Sequence, residues 1–229
     1  LKDFDACDTK KSRTRSLETL YALGRIEDIY KRIELQSELD DENIAFASFS
    51  TFIAEKQKKD TAHKFCKNPM DFIYYSNLSS HVENSNLFIN EVIDELQNIR
   101  THWEPQNKTT HNGSQSILNI FDKPSEKIFD LKSIILNELD DYKSKFKNES
   151  CSYINKWPSQ KNLFGWHVVL KQQGYQDPHI HQNGWLSGTI YIKVVPPLKN
   201  NEGAIEFNLS GDNYFDINSP KLTYLPKIG

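Results

Sequence analysis

The chain has 229 residues, with 28 Lys and Arg against 31 Asp and Glu, for a formal net charge of −3. Apolar content of 37% and charged content of 26% describe a globular chain rather than a disordered one. The near balance of charge excludes a global pull toward nucleic acid or anionic lipid.

No run approaches the roughly 18–20 apolar residues that a membrane helix needs. The opening residues Leu1-Lys2-Asp3-Phe4-Asp5 lack the apolar segment of a signal peptide. Cys7, Cys66 and Cys151 are odd in number, far apart and off metal-ligand spacing. They suit a reducing cytoplasm, each as a buried small apolar residue. The chain opens on Leu, and residues 223–229 read as a strand end and a turn. The expectation is therefore a piece of a longer protein, continuing at both ends.

The first third reads as helical. Leu17, Leu20, Tyr21 and Leu23 follow helical period over residues 16–23, and Gly24 can close that helix. Residues 26–39 place Ile26, Ile29, Tyr30 and Ile33 on one stripe. Residues 43–57 carry Ile44, Phe46, Ala47, Phe49, Phe52 and Ile53. Short helices joined by tight turns must stack to bury such stripes. A tetratricopeptide-like module over residues 1–80 is the reading, although the full repeat consensus is missing and stacking alone explains the pattern. Pro69 breaks the helical run, and residues 71–75 read as extended or as a short helix.

A polar stretch near residues 79–86 sets the boundary with a second domain over residues 81–229. Residues 86–99 form an amphipathic helix through Leu87, Phe88, Val92, Ile93 and Leu96. Residues 104–116 are polar and turn-rich. Pro124 opens a long helix to about residue 146. Five strands follow, at residues 165–170, 177–182, 185–195, 203–208 and 222–225, with Pro196-Pro197 ending the third. The fold class is α+β, with an antiparallel sheet or barrel after the helices, backed by the helices at 86–99 and 124–146.

The sharpest motif is Pro178-His179-Ile180-His181. Side chains two apart on a strand share a face, with Cα atoms about 6.6 to 7 Å apart. Two imidazoles at that spacing reach one metal at about 2.0 to 2.2 Å. A polar pair on a sheet surface is the plainer alternative. Asp177 shares that face, but lies about 13 Å from His181 on a straight strand. On the next strand, Leu186, Ile190, Ile192 and Val194 would pack on helices. Trp185, Ser187, Thr189 and Tyr191 would mix bulk with hydroxyls, as a pocket or a solvent-facing side does.

Three blocks carry a family resemblance: Trp166-His167-Val168-Val169-Leu170, Gly174-Tyr175-Gln176-Asp177-Pro178-His179-Ile180-His181, and Gly184-Trp185-Leu186-Ser187-Gly188-Thr189-Ile190-Tyr191. Together they resemble the first half of the catalytic core of a 2-oxoglutarate/iron(II) oxygenase family. Thr109-Thr110-His111-Asn112-Gly113-Ser114-Gln115-Ser116 is similar to that family's opening segment, and Gly203-Ala204-Ile205-Glu206-Phe207 to its next core strand. The resemblance covers about residues 100–229.

The resemblance implies a double-stranded β-helix (jelly-roll) and a dioxygenase, here a hydroxylase, using Fe(II) and 2-oxoglutarate. By motif position His179 matches the first ligand, and His181 stands where the superfamily carries a carboxylate. Trp185, Ser187 and Tyr191 become candidate cofactor-pocket residues. The distal His and the basic residue that grips 2-oxoglutarate would follow a turn resembling Pro226 to Gly229. An incomplete, inactive domain is therefore expected of residues 1–229.

His63 belongs to the helical module, while His81, His102 and His111 precede the barrel. His167 is out of phase with Trp166, Val168 and Leu170, and reads as a hydrogen-bonded sheet residue. The substrate is open, a protein or peptide being suggested by the preceding helices. No nucleic acid or membrane partner is expected. A cupin-like metal- or sugar-binding barrel and a non-catalytic interaction protein are the competing readings.

Overall fold

The computed structural model describes residues 1–196 and 201–229, and Pro197 of the expected strand stop lies outside them. The chain is α+β: seven α-helices and five strands among the described residues.

The N-terminal third builds its first core from three helices. α1 (Lys2–Cys7) precedes α2 (Lys10–Ala22), α3 (Ile26–Gln36) and α4 (Ile44–Gln57). A reciprocal capping box joins Thr9 and Ser12 at the start of α2. Its end is closed at Gly24, which has φ +69°, a conformation glycine adopts without steric cost. Asn43 caps α4 by accepting from the Phe46 N–H at 3.3 Å. Leu17, Leu20, Ile29, Ile33, Phe46, Phe49, Phe52 and Ile53 interlock beneath these helices. Tyr214, from the far end of the chain, enters the same core, with its ring 4.7 Å from Phe52 and 5.0 Å from Phe49.

An ion pair is buried beside this core. Asp40, wholly inaccessible, accepts from Arg13 Nε at 2.7 Å and Nη2 at 2.9 Å. Such bidentate geometry offsets the desolvation of both charges.

Pro69–Phe72 and Leu78–Ser80 are single 3₁₀ turns. α5 (Ser85–Gln97) packs on α6 (Glu126–Phe146) around Phe88, Val92, Leu96, Ile128 and Leu131. The Glu95 carboxylate caps α6, accepting from the backbone N–H groups of Lys127 and Ile128, each at 3.0 Å. α7 (Ser152–Asn155) contributes Tyr153 and Ile154 to a third, aromatic core with Phe65, Tyr142 and Phe146.

The polar stretch 104–116 holds more order than its composition suggests. β1 (Thr101–Trp103), β2 (Thr110–Ser116) and β3 (Val168–Gln176) form an antiparallel sheet in that order. The β2–β3 register shifts between His111 and Gly113. At Gly113 a Cβ would stand 2.9 Å from the Val169 carbonyl oxygen, so only glycine lets the strands close there. β4 (Ile205–Phe207) and β5 (Leu222–Tyr224) pair antiparallel as a separate ribbon.

Several expectations are corrected. The first strand runs over 168–176, not 165–170. Residues 177–182 and 185–195 form no strand. Pro178 has no N–H to give a ladder. The chain then folds back, with Gln182 N–H bonding the Ile180 carbonyl and Gly184 N–H the His181 carbonyl. Leu186 and Ile190 are exposed instead of facing helices, whereas Ile192 does pack on the α5–α6 core. Without those two strands the described residues form two small sheets, one of three strands and one of two. Period-2 alternation marks an extended chain, but pairing needs a partner edge that alternation does not reveal. Cys7 is exposed and Cys66 and Cys151 are half-buried, where buried apolar positions were expected.

Candidate functional site

The site grows from the end of the β2–β3 ladder. Its last paired residues are Thr110 and Gln176. There Gln176 Nε2 donates to Thr110 Oγ1 at 3.1 Å, and Thr110 Oγ1 donates to Gln115 Oε1 at 2.9 Å. Asp177 is the first residue beyond, and its N–H bonds the Thr109 carbonyl at 2.9 Å. Pro178 restricts Asp177 to extended backbone. The next residues carry the two imidazoles outward.

His179 and His181 converge. Their rings meet edge to face, 4.7 Å between centroids at 86°, and the two Nε2 atoms stand 3.2 Å apart. At a metal–nitrogen distance of about 2.1 Å, that separation subtends about 100° at a shared ion. This lies between the octahedral and tetrahedral values, so the pair fits two positions on one cation. Strand alternation was the wrong reason for the convergence, since the segment is unpaired, yet the side chains still share one side.

The tautomer follows from the partners. His179 Nδ1 lies 2.7 Å from the Asp177 carbonyl oxygen. A carbonyl only accepts, so Nδ1 carries the hydrogen and Nε2 keeps its lone pair. Without a cation, His181 Nε2–H donates across the gap to His179 Nε2. Burial, and to a lesser degree the neighbouring His179, push the His181 imidazole toward its neutral form. The Trp166 ring flanks His181 at 5.5 Å, and Phe164, largely exposed, flanks Trp166 at 6.0 Å.

The other sequence candidates have surroundings of their own. The Trp185 indole donates to the Tyr153 carbonyl at 3.1 Å, stacks on the Tyr153 ring, and meets Phe65 edge-on. Ser187 is exposed, and Tyr191 is half-buried, its hydroxyl pushed upward in pKa by burial. Asp177 turns its carboxylate away from the pair, to His111 Nε2 at 2.6 Å. His63 is buried against the Asp40 carbonyl, and His81 pairs with Glu138. His167 is hydrogen-bonded to the sheet through its main chain, its N–H donating to Ser116 Oγ and its carbonyl accepting from the Ser116 N–H, while its Nδ1 is buried without a partner. No cluster of three His, Cys, Asp or Glu side chains able to hold a metal forms among the described residues.

The contacts of the Asp177 carbonyl with His179 and of the Asp177 carboxylate with His111 were not anticipated. The Asp-Pro-His order carries the usable signal: a residue held extended before proline presents its carbonyl to the imidazole two positions on.

A family described as "Putative 2OG-Fe(II) oxygenase" matches residues 165–226. That span contains His179, His181, Trp166, Trp185 and Tyr191, and it supports the oxygenase resemblance. No curated protein and no solved structure matches the chain.

Proposed function

We propose that the chain carries a 2-oxoglutarate- and iron(II)-dependent oxygenase domain, a hydroxylase, in which His179 and His181 are two of the metal ligands. The observation that supports this most is the 3.2 Å approach of their Nε2 atoms, inside the segment matched by the oxygenase family. Bound iron(II) would supply the redox centre at which dioxygen oxidises a substrate C–H bond while 2-oxoglutarate loses carbon dioxide to become succinate.

The chain's own residues do the rest. The Asp177 carbonyl holds the His179 proton on Nδ1 and leaves Nε2 free. Burial favours the neutral form of His181, the form that a ligand takes. Ser187 offers an exposed hydroxyl and Tyr191 a half-buried phenol for the co-substrate. Trp185, committed to Tyr153 and Phe65, serves as a fixed wall.

Two imidazoles without a carboxylate leave a dication's charge unneutralised by these ligands, a departure from the superfamily pattern. By the resemblance, a third ligand and a basic co-substrate clamp would complete the site. In this reading residues 1–80 are a tetratricopeptide-like recognition module and residues 81–229 belong to the oxygenase domain. The substrate is a protein or peptide side chain, and the setting is cytoplasmic. The described residues contain no helix long and apolar enough to cross a membrane.

The test is succinate formation from 2-oxoglutarate by protein that includes residues 1–229. It should require added iron(II) and vanish in His179→Ala. Metal binding without any succinate would favour a redox-silent, cupin-like site, for which the all-imidazole pair is the specific argument.

A further inference from the structure

His111 sits on β2 opposite Tyr175 of β3, and the two rings stack at 4.8 Å and 23°. This fixes the imidazole plane at the rim of the ladder. Its Nε2–H then donates to Asp177 Oδ2 at 2.6 Å, a short, charge-assisted geometry. The main chain of the same Asp177 is engaged on both sides. Its N–H bonds the Thr109 carbonyl, and its carbonyl accepts from His179 Nδ1. One residue thus links the sheet to the first imidazole, through its carboxylate on one side and its carbonyl on the other.

We infer that His111 is a positioning residue for the imidazole pair: by anchoring the Asp177 carboxylate it holds the Asp177 carbonyl that fixes the His179 tautomer and aims Nε2 at the shared position. The inference rests on the metal reading for its purpose, but the coupling itself exists in the metal-free chain. Outer partners of metal ligands matter because they set tautomer and ring orientation. Here the outer partner is a backbone carbonyl, which no substitution removes directly, so the clamp that orients it is the accessible lever.

The clamp lies one step further out than a direct outer partner, and its side chains are 41% and 50% exposed. Its loss should therefore cost less than the ~10–100-fold typical of direct outer partners, about three- to tenfold in affinity. His111→Gln preserves an N–H near the position of Nε2. Asp177→Ala removes the other half of the clamp while leaving the carbonyl in place.

The experiment reads two quantities. The ¹⁵N–¹H correlation pattern of the His179 ring, in metal-free protein above the imidazole titration range, reports which nitrogen is protonated. Calorimetric titration with zinc(II) reports affinity for the pair. Wild type should show a single Nδ1–H tautomer. His111→Ala and Asp177→Ala should each show a mixture with Nε2–H and a three- to tenfold weaker zinc affinity. The double variant should lose no more than either alone, and His111→Gln should recover most of the loss.

An unchanged single tautomer in His111→Ala overturns the inference, as do losses that simply add in the double variant. If wild type takes up no zinc, the metal reading fails, and the tautomer comparison still decides whether the clamp acts.

Discussion

Arg13 and Asp40 meet beside the first core, the guanidinium presenting both Nε and Nη2 to a carboxylate with no solvent exposure. Removing one partner strands the other. Arg13→Ala should therefore destabilise by about 3–5 kcal/mol, the range for breaking a buried pair. Asp8 also touches Arg13, but its side chain is largely exposed, so Asp8→Ala should cost no more than about 1 kcal/mol. Urea unfolding of the two variants checks the contrast, and equal losses would refute it.

Tyr214 offers a sharper packing test. Its ring fills the core between Phe49 and Phe52, yet its hydroxyl is buried with no hydrogen-bond partner. An unsatisfied buried donor costs about 1–3 kcal/mol, so Tyr214→Phe should stabilise the fold by about 1 kcal/mol. Tyr214→Ala should instead cost about 3–5 kcal/mol for the lost aromatic volume. A Phe variant less stable than wild type would contradict the environment described for that hydroxyl.

His63 gives the fold a pH dependence of known sign. It is buried beneath Phe46. Its Nδ1 accepts from the Phe65 N–H at 3.3 Å, which leaves Nε2–H to donate to the Asp40 carbonyl at 3.1 Å. Burial holds its pKa below the ordinary 6.5, although the Asp40 carbonyl and the charges of Asp41 and Asp40 pull the other way. The unfolded chain binds the proton more readily, so stability is full above the ordinary value and falls as pH drops through it. The loss levels off once the folded-state pKa is passed. Thermal melts from neutral pH downward should show this decline, and His63→Gln should flatten it. The same slope in both proteins would assign it to other groups, among them His167, which burial also depresses.

Much of the helical architecture was legible because periodicity reports a buried stripe wherever a helix lies. Phe46, Phe49, Phe52 and Ile53 were read as the greasy face of one helix, and all four are core. The start at Asn43 and the stop at Gly24 carried their own chemistry. The sheet was less legible. Thr110 to Ser116 looks like a polar loop, since Gln115 and Ser116 are buried through hydrogen bonding and not apolarity. Residues 185–195 alternate like a strand, yet Trp185 and Ile192 are drawn to two different cores and Leu186 and Ile190 stay exposed. The Arg13–Asp40 pair and the His111–Asp177 clamp join residues 27 and 66 positions apart, distances at which local pattern is silent. The approach of His179 to His181 was expected from strand alternation, but it arises in an unpaired segment that turns back at Gln182.

The metal reading stands or falls on those two rings. Calorimetric titration of residues 1–229 with cobalt(II), in wild type, His179→Ala and His181→Ala, measures it directly. One ion per chain in wild type, with binding lost or weakened at least tenfold in each single variant, is the expected result. No uptake by wild type, or uptake that survives both substitutions unchanged, would contradict it.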